Sequence, residues 1–201
     1  MAKEPIAESV QEVAPGLLHW AAYSPAVKTE LSSAAWKSPE GWVLVDPIRL
    51  ADDAWAEGFG AERPVAIVLT NGNHDRAVAH YRDRFGIPVH AAPEAEEPLG
   101  LKVDAAVSGG AVHGLQVIPI PGGGPGETAF LSPEGYLFLG DAVINLESGG
   151  LALLPKKYCR NERESRASFR KLLDSDFSIV SFAHGTPLRR QAKERLRALL
   201  E

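Results

Sequence analysis

A mixed α and β domain is the fold class this sequence predicts, on three observations. Apolar runs of strand length, bounded by Gly, Pro and Asp, fill the first fifty residues and return after Gln116. Each series is followed by segments whose apolar residues recur at helical spacing. With 201 residues, 45% of them hydrophobic, the chain has material for one ordinary core. Residues 1–201 are therefore expected to form a single domain.

The elements follow in order. Gly16 to Tyr23, Leu31 to Lys37 and Gly41 to Val45 read as strands, the last stopping at Asp46-Pro47. Ala51 to Phe59 suits a helix, with Asp52 and Asp53 near its positive end. Val65 to Leu69 is a fully apolar, buried strand. Asp75 to Phe85 places Val78, Tyr81 and Phe85 on one helical face, and Gly86 followed by Pro88 ends it. Gln116 to Ile120, Thr128 to Leu131 and Tyr136 to Leu139 return to strand, the last two joined across Ser132-Pro133-Glu134-Gly135. Asn161 to Leu173 and Pro187 to Leu200 are amphipathic helices, with Pro187 suited to a first turn and Phe177 to Phe182 a strand between them.

Composition narrows the function. A net charge of -5, with Lys and Arg dispersed except for short runs such as Lys156-Lys157 and Arg189-Arg190, disfavours a nucleic-acid partner. The single cysteine forms no internal disulfide and no Cys cluster holds a structural zinc, which suits a reducing compartment. Met1 to Val10 is mixed in charge, contains Pro5 and lacks the apolar stretch of a signal peptide or membrane span. A cytoplasmic protein without a membrane partner is expected.

The chemistry concentrates in Leu69-Thr70-Asn71-Gly72-Asn73-His74-Asp75-Arg76, on a strand-to-helix loop, where open α/β sheets place their sites. Three other segments belong with it: Pro121-Gly122-Gly123-Gly124-Pro125-Gly126, Phe138-Leu139-Gly140-Asp141 and Ala183-His184-Gly185. The ordered set resembles the metallo-β-lactamase superfamily, whose corresponding elements read Thr-His-x-His-x-Asp-His, Pro-Gly-His-Thr-Pro-Gly, a strand ending in the bridging aspartate, and the last histidine. Val-Leu-Val-Asp-Pro, ending at Pro47, is similar to that family's opening strand. The likeness runs from about Val43 to Gly185, and its nearest form is a branch reading Thr-Asn-x-x-His-x-Arg, matched by Thr70, Asn71, His74 and Arg76. It implies an α+β fold, an αββα sandwich, with a zinc pair and hydrolase chemistry.

Aligned on Thr70, the family's ligand positions fall on Asn71, Asn73, Asp75, Arg76, Gly123, Asp141 and His184. Zinc sites use imidazole, thiolate or carboxylate donors. Amides are poor substitutes and a guanidinium stays protonated. One implied metal would keep only Asp141. The other would keep Asp75, Asp141 and His184, against the fixed charge of Arg76, which we read as a replacement for metal charge paired with Asp75, Asp141 or both. The alternative for Arg76 is an exposed side chain on the first turn of a helix.

His74 falls at the family's variable position and suits either a structural hydrogen bond or proton transfer. His184 follows an apolar strand and carries the same two readings. His19, His80, His90 and His113 lack ligand spacing and read as structural or surface residues. The glycine-rich Pro121 to Gly126 lacks the following Lys-Ser/Thr of a phosphate loop and leads into a strand, so it reads as a retained turn. Asn71 and Asn73 suit capping of the following helix or bonding within the loop.

The candidate site is therefore His74, Asp75, Arg76, Asp141 and His184. The leading expectation is a metallo-β-lactamase fold without its zinc pair, with no cofactor, binding a small molecule in the vestigial pocket. A second keeps hydrolase chemistry through one divalent ion, Zn or Mn/Fe, on Asp75, Asp141 and His184, or through metal-free acid–base work by those groups with His74. A third is a structural or partner-binding role. The motifs name neither a substrate nor an oligomeric state.

Overall fold

A computed structural model describes residues 4–201, leaving Met1 to Lys3 of the N-terminal segment outside the described residues. Seven strands form the first sheet: β2 (Gln11–Ala14), β3 (Leu17–Ser24), β4 (Thr29–Ser38), β5 (Gly41–Val45), β7 (Pro64–Val68), β8 (Val89–Ala91) and β9 (Ala105–Ala106), in that spatial order. β1 (Ile6–Ala7) and β6 (Arg49–Leu50) pair separately. The second sheet runs β10 (Ala111–Val112), β11 (Leu115–Pro119), β12 (Thr128–Leu131), β13 (Tyr136–Leu139) and β16 (Ile179–Phe182). β14 (Val143–Leu146) and β15 (Gly150–Leu153) make a separate hairpin.

Three apolar layers explain the stack. Between the sheets lie Leu17, Trp36, Val43, Val45 and Val68 from the first and Val117, Phe130 and Phe138 from the second. The first sheet's other face packs on α1 (Asp52–Phe59), α2 (Val78–Phe85) and α3 (Glu96–Leu99), where Trp55, Phe59 and Tyr81 meet Trp20, Leu44 and Ile67. The second sheet's other face packs on α4 (Glu162–Leu172) and α5 (Ala192–Ala198) through Phe169, Leu172 and Leu196 against Leu137, Val180 and Phe182. Helix, sheet, sheet, helix is the expected αββα sandwich. Fully apolar β7 and β13 follow from being covered on both faces. No helix among the described residues is long and apolar enough to cross a membrane.

Two helix expectations need correction. α2 begins at Val78, because Asn71 to Ala77 is used up in turns; neither Asn caps it, its cap being Ala77 with no side-chain bond. It does end at Gly86 in the left-handed conformation, at φ 66°. The last helix covers only Ala192–Ala198, since Leu188 is drawn into a β-bridge with Val180 and Pro187 lies outside any helical turn. Asn161, by contrast, caps α4 by accepting from Glu164 N.

β5 and β7 are parallel neighbours in one sheet, β13 and β16 in the other. All four carboxyl ends therefore open at one end of the sandwich. They carry Asp46, the Thr70 to Arg76 loop, Asp141 and His184. Ser32 N, which bonds Ala183 O at 2.8 Å, ties the first sheet to the last of these segments.

Candidate metal centre

His74, Asp141 and His184 meet at this end, with one ligand-type atom of each within 4.8 Å of the others. His74 Nε2 lies 3.3 Å and His184 Nε2 3.2 Å from the same oxygen, Asp141 Oδ1. Bonds of about 2.0–2.1 Å at a tetrahedral angle separate two ligands by about 3.3 Å. Two edges of the triangle thus have the spacing of a zinc-type site.

The outer nitrogens decide the protons. His184 Nδ1 faces the Glu30 carbonyl at 2.8 Å, which can only accept. His74 Nδ1 lies 3.1 Å from Asp46 Oδ2 and 3.1 Å from Thr70 Oγ1. Thr70 directs its hydroxyl proton to Asp46 and offers His74 a lone pair. Both Nδ1 atoms therefore carry hydrogen in the neutral rings, and both Nε2 lone pairs point at a carboxylate oxygen. Such a set calls for a cation at its centre, either a metal ion or added protons.

The metal-free chain uses a proton. Burial alone would lower His74, but the carboxylates of Asp46 and Asp141 outweigh burial and the opposing Arg76 charge and hold the imidazole up to about 9. Asp46, 2% exposed, would be raised by burial; the charge of His74, its hydrogen bond and Arg76 instead hold it below its ordinary value. Asp141 is held well below the usual carboxylate range, against burial, by His74 and His184.

Beyond Asp141 lies a second cluster. Asn71, 0% exposed, donates its amide to Glu127 Oε2 in a very close contact, and the same nitrogen is 3.5 Å from Asp141 Oδ2. Glu127 Oε1 accepts from Ala142 N at 2.9 Å. Burial, followed by the Asp141 charge, pushes the Glu127 carboxyl up to about 8.

Arg76 and Asp75 depart from the sequence expectation. Arg76 is half-buried and donates to three backbone carbonyls, Ser32 at 2.6 Å, Asp46 at 2.9 Å and Ala183 at 3.1 Å. It makes no ion pair among the described residues, so pairing with Asp75 or Asp141 is overturned, as is an exposed Arg on a first turn. Asp75 is exposed and stands outside the cluster, while His74 takes the inward place. The physical reason is a tightened loop. His74 N bonds Asn71 O, Asn71 Oδ1 accepts from Asn73 N, and Arg76 turns left-handed at φ 32°. Asp46 is similarly strained at φ 46°. Asn73 is exposed.

The donor set tests the zinc pair that the resemblance implies. One ion fits His74, Asp141 and His184, two imidazoles and a carboxylate with both rings anchored from behind. The other position does not fit. It offers Asn71, an exposed Asn73 and Gly123, where a Cβ would stand 2.9 Å from Glu127 Cγ.

Asp46 and Glu127 were not singled out in the sequence. Asp46 ends an apolar strand; Glu127 is a lone acid between a glycine-rich turn and the apolar β12, and that contrast is the signal that marks it. His90 and His113 also come together, Nε2 to Nε2 at 3.2 Å with Glu40 on His113 Nδ1 at 2.7 Å, although nothing in their spacing foretold it. A cavity of about 440 Å³ adjoins Glu127, lined also by Ala92, Gly122, Gly126, Arg160 and Glu164.

The family described as "Metallo-beta-lactamase superfamily" matches residues 10–201. No curated protein matches the sequence. Among solved structures, a metallo-β-lactamase family protein from Thermus thermophilus is 20% identical over 93% of this chain and 80% of its own, with a TM-score of 0.66. The metallo-β-lactamase IND-7 is 16% identical over 95% of this chain and 96% of its own, at 0.70. The Rm3 metallo-β-lactamase is 19% identical over 98% and 92%, at 0.64.

Proposed function

The chain belongs to the metallo-β-lactamase superfamily, and we propose that it carries a one-ion form of a hydrolase-like centre, held by His74 Nε2, Asp141 Oδ1 and His184 Nε2. The observation that carries this reading is the convergence of two imidazole lone pairs on one oxygen of Asp141, with both Nδ1 atoms committed to acceptors. A divalent ion there, when bound, supplies Lewis-acid activation of water or of a substrate oxygen. The ligand set differs from the sequence expectation by one residue, His74 in place of Asp75.

The protein's own groups have separate tasks. Asp46 fixes the His74 ring and Glu30 O the His184 ring. Asn71 holds Asp141 Oδ2, leaving Oδ1 for the imidazoles. Arg76 locks Ser32, Asp46 and Ala183 to one another, and so holds the strand ends that carry His74's partner and His184. The 440 Å³ cavity beside Glu127 has the size of a small-molecule pocket; none of the three proposed ligands lines it, and we place a small-molecule ligand there, next to the centre and not on its ion.

A second reading has its own observation. In the metal-free chain the His74 proton already satisfies Asp46 and Asp141. That favours a centre that dispenses with metal and binds a small molecule in a vestigial pocket. For either reading we propose a cytoplasmic setting, on Cys159 as the only cysteine.

Equilibrium dialysis of the full chain against Zn2+, Mn2+ or Fe2+ separates the two. The one-ion reading expects one ion per chain, lost in His74→Ala and His184→Ala. Absence of binding at saturating metal overturns it in favour of the metal-free pocket.

A further inference from the structure

We infer that Asn71 and Glu127 together replace the superfamily's other ion and act as positioning residues that hold Asp141 for the His74 and His184 side. This inference rests on the one-ion reading of the same centre.

The two oxygens of Asp141 face opposite ways. Oδ1 takes both imidazoles, and Oδ2 takes the Asn71 amide. The Asn71 amide nitrogen reaches Glu127 Oε2 and Asp141 Oδ2 alike, so a single NH2 group spans two carboxyl groups that a cation would otherwise have to join. Glu127 closes the loop through its other oxygen, which accepts from Ala142 N, the residue after Asp141. Asp141 is thus held by its side chain and by the backbone next to it.

The surrounding backbone is shaped around this carboxyl. A Cβ on Gly123 would stand 2.9 Å from Glu127 Cγ, one on Gly124 3.1 Å from Oε2, and one on Gly140 2.7 Å from Oε1. Three glycines from two segments leave room for Glu127 together with the side chains that pack on it, Asn71 against Gly124 and Thr70 against Gly140. Two of them lie in the turn that the superfamily uses for a histidine ligand, so the space for that ligand is already filled. Every donor to Glu127 is neutral, an amide and a peptide N–H, and no cation pairs with it among the described residues. Such an arrangement suits a fixed hydrogen-bonding post better than a metal ligand.

The test uses Co2+ as the probe, whose absorption spectrum reports coordination, on the full chain and on Glu127→Ala, Asn71→Ala and Glu127→Gln. One ion per chain is expected throughout. Removing an outer-shell partner commonly costs about 10–100-fold in affinity, so Glu127→Ala and Asn71→Ala should each weaken Co2+ by roughly that factor and alter its spectrum. Combining them should add little, because they act as one unit. Glu127→Gln keeps the volume and an oxygen for Ala142, guards against a misfolded Ala variant, and should weaken binding by about threefold or more. Two ions per chain in the parent, falling to one in Glu127→Ala, would make Glu127 a ligand and overturn the inference. Parent affinity and spectrum in all variants would overturn it equally. If the parent binds no Co2+, the one-ion reading fails, and the inference is judged by the ring 15N resonances of His74 and His184 in the metal-free chain. Those should move in Glu127→Ala and Asn71→Ala; unmoved resonances sink it.

Discussion

His74 and Asp46 form a buried imidazole–carboxylate pair, Nδ1 to Oδ2 at 3.1 Å, at the carboxyl ends of adjacent parallel strands. The pair makes the metal-free chain sensitive to alkali. His74 keeps its proton to about 9 in the folded state against 6.5 as a free side chain, and Glu127 to about 8 against 4.5. Above about pH 6.5 the folded chain therefore holds more protons than the unfolded one, and stability must fall as pH rises through that range; in more acid solution the buried His19 ring, lowered by burial to about 4, opposes Glu127. Asp46 and Asp141, both held low, withdraw their contribution only in acid below the ordinary carboxylate range. Thermal melts without metal should show the midpoint declining steadily from about pH 6.5 towards about pH 9. A midpoint that rises over that range contradicts the assignment of these protons.

Metal affinity should run the opposite way. An ion on His74 Nε2 competes with the proton that the metal-free ring holds, so Zn2+ binding should tighten with pH and release protons. His74→Ala should abolish it, whereas Asp75→Ala, at an exposed position outside the cluster, should leave affinity within about threefold. Calorimetry in buffers of different ionisation enthalpy measures both. A large loss from Asp75→Ala would restore the ligand set expected from motif spacing.

Arg76→Met removes a cation held by three backbone carbonyls. Bonds to a charged donor are worth more than neutral ones, and buried carbonyls left without partners add to the cost. A loss on the order of 3 kcal/mol is expected from denaturant unfolding. Because peptide carbonyls do not titrate, most of it should persist in mild acid. A loss that vanishes by about pH 4 would point to a carboxylate partner instead.

The strands were legible because both sheets are covered on two faces, which turns β5, β7 and β13 into apolar runs that no loop would carry. Four ordered segments were enough to place Asp141 and His184. The inward-facing residue of the Thr70 loop was not, since spacing counted from Thr70 assumes the family's turn within a loop of the same length. A turn closed by His74 N on Asn71 O swings His74 inward and Asp75 outward. Glu127 escaped notice because its role depends on Asn71 and Ala142, respectively 56 and 15 residues away. Leu188 fits a helical stripe by spacing but satisfies its backbone against Val180.

Rebuilding the second metal position tests how far the pocket has moved from its relatives. Asn71→His with Gly123→His supplies two of the missing imidazoles, but the side chain at position 123 must enter space held by Glu127, whose Cγ and Cβ would lie 2.9 and 3.0 Å from the new Cβ. Both contacts are on the inner part of a side chain pinned at its far end by Ala142 N, so it cannot swing aside freely. Overpacking of this kind costs about 1–3 kcal/mol, and the double variant should melt lower while still binding a single Zn2+. Adding Glu127→Ala vacates the space and removes the buried acid. The triple variant should regain part of the lost stability and bind a second Zn2+ through the new imidazoles and Asp141 Oδ2. Zinc content by elemental analysis and the melting midpoint read the two effects separately. A second ion in the double variant, with Glu127 still present, would show that this carboxyl does not block the site.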